Sequence, residues 1–116
     1  MEDQQMGKYG LVAVKAAGFV NDGKEPREAW EIASCEVFLR GCSSQIKGCP
    51  RGAFLGLYNH QGKNTLYAKA ALEYLKSHPN SSITVNRLWK IVMDGESKKH
   101  NGQMDVVLSL YLAGLI

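Results

Sequence analysis

Apolar side chains recur at three- and four-residue intervals through most of this chain, and no stretch alternates cleanly between apolar and polar residues. A three-four recurrence puts apolar groups along one side of a helix, whereas a half-buried strand needs a period of two. The segment Val85, Leu88, Trp89, Val92 shows the pattern best. Thr84 before it reads as an N-cap, and Ile83 and Leu88 fit a hydrophobic staple across that cap. Asp94-Gly95 supplies the stop.

Five further segments read the same way. The first runs from Gly7 to about Asn21, with Tyr9, Val12, Ala13, Ala16, Phe19 and Val20 on one stripe. The second starts at Pro26, a residue suited to the first helical position because its missing N–H costs nothing there. Glu28 in its first turn favours the positive end of the helix dipole. Ala29, Ile32, Ala33 and Val37 form its stripe, with Trp30 and Phe38 beside it. Residues 40–49 hold two glycines and two serines and read as a loop.

A short third helix follows, with Cys49 at the cap, Pro50 first, and Phe54, Leu57 and Tyr58 inward. After a turn at 59–63, Asn64 reads as the cap of a fourth helix with Tyr67, Ala70, Ala71, Tyr74 and Leu75 on one face. The sixth helix starts near Asn101 and carries Met104, Val107, Leu108 and Tyr111, with Val106 and Leu110 flanking them. A helix apolar on so many sides belongs in a core or in a dimer contact. The expected fold is therefore all-α, a compact bundle of five or six helices in one domain spanning 1–116, with 1–6 a flexible tail.

Composition narrows the functional classes. The longest apolar stretch, Val106 to Ile116, is too short to span a membrane and contains Ser109 and Gly114. The start Met1-Glu2-Asp3-Gln4-Gln5 is acidic and polar, unlike a secretory signal. Three cysteines, an odd number, argue against a disulfide framework and for a reducing compartment. These features place the chain in the cytoplasm, off the membrane. The net charge of +3 comes from the second half, where seven basic residues meet four acidic ones. That excess is milder than the stripe of a dedicated nucleic-acid binder.

Two stretches carry a resemblance. Gly48-Cys49-Pro50-Arg51-Gly52-Ala53-Phe54-Leu55-Gly56-Leu57 and His100-Asn101-Gly102-Gln103-Met104-Asp105-Val106-Val107-Leu108 resemble motifs in a group of small bacterial proteins with no assigned activity. Pro26-Arg27-Glu28-Ala29-Trp30 is similar as well. The resemblance covers most of the chain. It implies that both motifs are family features, and it implies no function.

Candidate sites have a bland and a sharp reading each. Cys49 at a helix start, near Lys47 and Arg51, is the weak candidate for a reactive thiol, because dipole and cations favour thiolate. The bland reading is a small residue filling a cap position. Cys35 reads as a helix-core residue and Cys42 as a loop residue. Their seven-residue spacing lacks the close pairs of a structural zinc site, so no metal and no cofactor is expected.

Lys98, Lys99, His100, Asn101, Gln103 and Asp105 form the densest polar patch. They read as a solvated loop and helix cap, or as an anion or ligand site at the start of the sixth helix. His100 and Asp105 could pair in space, although a gap of five residues does not stack them on one helical face. Asn86, Arg87 and Lys90 lie opposite the Leu88/Trp89 stripe and are the candidates for nucleic-acid contact. No phosphate loop, zinc-protease or nucleophile-elbow motif is present. The expected role is a small interaction or regulatory module, with a homodimer through the C-terminal helix. Nucleic-acid binding and thiol chemistry at Cys49 are the alternatives.

Overall fold

The computed structural model describes residues 7–58, 63–79, 82–95, 98–100 and 102–116. Six helices follow in chain order: α1 (Gly7–Asn21), α2 (Pro26–Val37), α3 (Gly48–Gly56), α4 (Lys63–Ser77), α5 (Val85–Met93) and α6 (Gln103–Leu112). No strand occurs among the described residues. The chain is an all-α bundle with a radius of gyration of 13.1 Å, close to the roughly 13 Å of a packed domain of about this size.

α6 is the central element. It packs against α1, α3, α4 and α5. Met104, Val106, Val107, Leu108 and Leu110 are all buried, on every side of the helix. Their apolar surroundings come from within the chain, which explains why α6 lacks a polar stripe. Tyr111 carries its hydroxyl to the edge of the core and donates to the Leu75 carbonyl at 3.2 Å.

The other helices bury one side each. α1 packs on α2 and α6 through Val12, Ala13, Ala16 and Ala17. Trp30, 2% exposed, sits deep in α2 with its ring 5.2 Å from that of Phe54 on α3. It belongs to the core itself, inward of the stripe where Ile32 and Val37 stay half-buried. Cys35, expected in the core, is also only half-buried, with Sγ 3.8 Å from Glu31 Oε2. α3 and α4 meet backbone to backbone: a Cβ on Gly56 would lie 2.6 Å from Thr65 Cα.

Two further corrections concern α4 and α5. The buried side of α4 is Thr65, Ala68, Ala71 and Leu75, whereas Ala70 is exposed. Asn64, expected just before α4, lies one residue past the helix start at Lys63. In α5 Val85, Leu88, Trp89 and Met93 are buried and Val92 is half-buried. Thr84 caps α5 as expected, its hydroxyl oxygen accepting from the Arg87 N–H at 3.2 Å. Asp94, at φ 48°, and Gly95, at φ 94°, close the helix in the left-handed region. Of the turn expected at 59–63, Lys63 instead begins α4, and residues 59–62, like the expected tail at 1–6, lie outside the described residues.

Among the described residues no helix is long and apolar enough to cross a membrane.

Candidate functional site

The α2–α3 connector folds back over the bundle because one buried side chain organises it. Gln45 is 5% exposed. Its amide nitrogen donates to Ser34 Oγ at 2.9 Å, and its amide oxygen accepts from the Gly41 N–H at 2.9 Å. A buried amide satisfied on both sides holds the loop in one place. The connector thereby brings Ser44 and Lys47 to α1. Tyr9 donates its hydroxyl to the Ser44 carbonyl at 3.0 Å, and the Lys47 ammonium lies 6.0 Å from the Tyr9 ring centre. Burial pushes the Tyr9 hydroxyl above its ordinary pKa.

The Tyr9 ring also meets the start of α6. Gly102 is its N-cap residue at φ 88°, in the left-handed region that glycine enters without strain. A Cβ there would lie 2.8 Å from Tyr9 Cδ2. Gly102 has no side chain with which to cap the helix, so another group must serve the free N–H groups of the first turn. His100 does so: its Nε2 accepts from the Met104 N–H at 3.0 Å. An acceptor nitrogen carries no proton, so the ring proton of this neutral imidazole is on Nδ1. The ring packs against Trp89 at 5.0 Å between centres, and the Trp89 indole N–H donates to the Lys98 carbonyl at 2.9 Å. Burial, and then the positive charge of Lys47, push the His100 pKa below its ordinary value.

Asp105 completes the cluster from the first turn of α6. Its Oδ1 lies 3.8 Å from His100 Nε2, within ion-pair range but too far for a hydrogen bond. Both side chains are mostly buried, 19% exposed for His100 and 16% for Asp105. Burial pushes the Asp105 carboxyl up to about 7, against the pull of its own backbone N–H. The other oxygen faces the start of α1, where a Cβ on Gly7 would lie 3.1 Å from Oδ2. With the imidazole neutral, the close approach of His100 and Asp105 is not an ion pair near neutral pH.

The structure thus joins His100 and Asp105, because His100 lies before the helix and its ring reaches forward along it. The remaining members of that polar patch go elsewhere. Lys98 and Lys99 are exposed, and the Lys98 ammonium donates to the Tyr67 hydroxyl at 3.0 Å. Gln103 is 2% exposed, inside the bundle rather than facing a ligand from the surface. Asn101 lies outside the described residues, so the expected cap at that position and its relation to Cys49 are not described. Cys49 itself is half-buried and lies one residue inside α3, where Lys47 holds the cap position. Asn86, Arg87 and Lys90 are all exposed on α5. Among the described residues no group of three histidine, cysteine or acidic side chains is placed to hold a metal ion.

A groove of about 550 Å³ starts beside this cluster and runs between α1 and α6. Gly7, Gly10, Ser109 and Ala113 form its small-residue lining, with Leu11 and Leu112 at its edges. These leucines are 50% and 61% exposed.

A six-helix all-α bundle whose central helix starts at a histidine cap and a buried carboxyl is the class these features define. The chain belongs to a family of unknown function (DUF6979), which matches it over residues 6–116. No curated protein and no solved structure matches it.

Proposed function

We propose that the protein is a small cytoplasmic interaction module that pairs with a second copy of itself through the α1–α6 face. The observation that carries this reading is an open groove on that face flanked by exposed leucines. It bears two exposed leucines, Leu11 and Leu112, and a groove lined also by glycine, alanine, serine, Val14 and, at one end, Lys8. A two-fold axis through such a face sets each copy's leucines into the other's groove. Leu115, 37% exposed beyond α6, extends the apolar edge. The body of α6 is enclosed by its own chain, so the contact involves its last turn and the tail after it rather than its length. The three unpaired cysteines support a reducing compartment.

Sedimentation velocity over a wide concentration range tests the pairing. The expected result is a species of twice the 12.8 kDa chain mass at high concentration, reduced to monomer by Leu112→Glu. A monomer throughout would overturn the reading. A monomer that binds an apolar fluorescent dye in a Leu112-dependent way would reassign the groove to a small ligand.

Nucleic-acid binding is the second reading. What favours it is the joint exposure of Asn86, Arg87 and Lys90 on α5. A gel shift that weakens with salt and is lost in Arg87→Ala would support it over the first.

A further inference from the structure

We infer that His100 is a proton-controlled cap on α6, its Nε2 serving the Met104 N–H until the His100–Asp105 pair takes up a proton and turning to Asp105 Oδ1 once it has. The geometry sets one nitrogen between two claimants. Met104 N–H is 3.0 Å from Nε2, and Asp105 Oδ1 is 3.8 Å from the same atom. An imidazole nitrogen of this type has one in-plane direction, occupied by a lone pair or by a hydrogen. The Met104 N–H needs the lone pair. The carboxylate needs the hydrogen.

A proton arriving from solvent has two places to sit. On Nε2 it converts the acceptor to a donor aimed at the carboxylate. On Oδ1 it makes the carboxyl a donor that competes with Met104 for the lone pair. Either placement closes the 3.8 Å gap to hydrogen-bonding distance, roughly 2.7–2.9 Å, and draws the ring off the helix.

The surroundings hold this pair between its states. From α1, Tyr9 approaches with a neutral hydroxyl already donated to Ser44. From the start of α3, Lys47 opposes positive charge on the ring. From α5, uncharged Trp89 covers the ring face. Of the chain neighbours, Lys98 and Lys99 are exposed, and the Lys98 ammonium is hydrogen-bonded to Tyr67. Burial keeps Asp105 ready to accept a proton near neutrality. Protonation therefore removes a cap from the helix on which the bundle is built.

Nuclear magnetic resonance of the full chain across about pH 5 to 8.5 tests this. At the alkaline end the His100 ring is expected with Nδ1 protonated and Nε2 bare. On acidification the Met104 amide should lose its hydrogen-bonded shift, with a midpoint matching the Asp105 carboxyl carbon. Its exchange protection should drop about tenfold. The Arg87 amide, capped by Thr84, should stay flat. Asp105→Asn should abolish the Met104 step near neutrality. A proton on Nε2 at alkaline pH would overturn the inference, as would a Met104 amide that does not move. Both of those readings come from the unaltered protein, so they stand whatever the variant does to folding.

Discussion

α5 and α6 start in opposite ways. Both leave N–H groups in the first turn that need an acceptor. At α5 the acceptor is the hydroxyl of Thr84, the residue immediately before the helix, with extended backbone at φ −93° and ψ 164°. At α6 the corresponding residue is Gly102, left-handed and without a side chain, and the acceptor is an imidazole two residues further back. A hydroxyl does not titrate in the range where proteins fold, so α5 starts the same way at any ordinary pH. An imidazole does titrate there, and this one sits against a carboxyl that burial has lifted to about 7. The same duty performed by a different group turns a fixed helix start into one coupled to protons.

The largest expected effect breaks that coupling at the carboxyl. Asp105 has its pKa raised from 3.8 to about 7 in the folded chain, so between these values the folded state holds a proton that the unfolded state gives up. Its contribution to stability is present when the carboxyl is protonated and is lost as pH rises toward 7. His100 runs the other way. Its folded pKa is lowered from 6.5, so its contribution is present above 6.5 and is lost as pH falls below. Asp105→Asn removes the first slope and leaves the second. At about pH 8 the variant should be more stable by about 2–3 kcal/mol, less what a carboxylate gains at a helix N-terminus. At about pH 5 the advantage should be smaller, and it should vanish only below 3.8, where both states hold the proton. Urea unfolding at both values reads the difference. A variant less stable than the parent at the alkaline value would show that the charged carboxylate has a favourable partner.

Comparable in size is the effect at the glycine that forces the cap to come from elsewhere. Gly102→Ala incurs left-handed strain of about 1 kcal/mol and also pushes the Tyr9 ring aside, for a total of about 2–3 kcal/mol. Gly95, after α5, shares the positive φ at 94°, but a Cβ there meets nothing within 4 Å. Gly95→Ala should therefore cost only the strain, about 1 kcal/mol. The difference between the two thermal midpoints isolates the Tyr9 contact. Equal losses would mean that Tyr9 moves away freely and does not hold the start of α6.

This contrast also marks how far the sequence can be read. The number of helices, the start of α2 at Pro26 and the Thr84 cap rest on neighbouring residues, and local pattern reports them. Which side of α4 faces inward depends on where α3 crosses it. The Gly56–Thr65 contact turns Ala68 inward and leaves Ala70 in water, which spacing alone cannot distinguish. α6 is apolar on all sides, so periodicity could not separate a central helix from a dimer surface. At the site, His100 and Asp105 stand out as residue types, but Tyr9 looks like an ordinary member of the α1 stripe. Its partner Ser44 is 35 residues away, brought in by the Gln45-held connector. Only Gly102, a glycine directly before a helix, offered a local hint that the cap was displaced.

The smallest effect is expected at the ordinary cap. Thr84→Ala deletes the oxygen that accepts from the Arg87 N–H at 3.2 Å. The freed N–H is exposed to water, which takes over part of the hydrogen bond, so the loss should be about 1 kcal/mol. Thr84→Ser keeps the oxygen and should restore most of it. The discriminating feature is constancy: the loss should be the same at about pH 5.5 and about pH 8, because neither the hydroxyl nor the N–H changes charge between them. His100→Ala should lower stability at the alkaline value, where the ring caps Met104, and lower it less at the acidic one, where the cap has already been given up. A Thr84→Ala loss that itself varied with pH would tie α5 to the same proton and remove the distinction between the two helix starts.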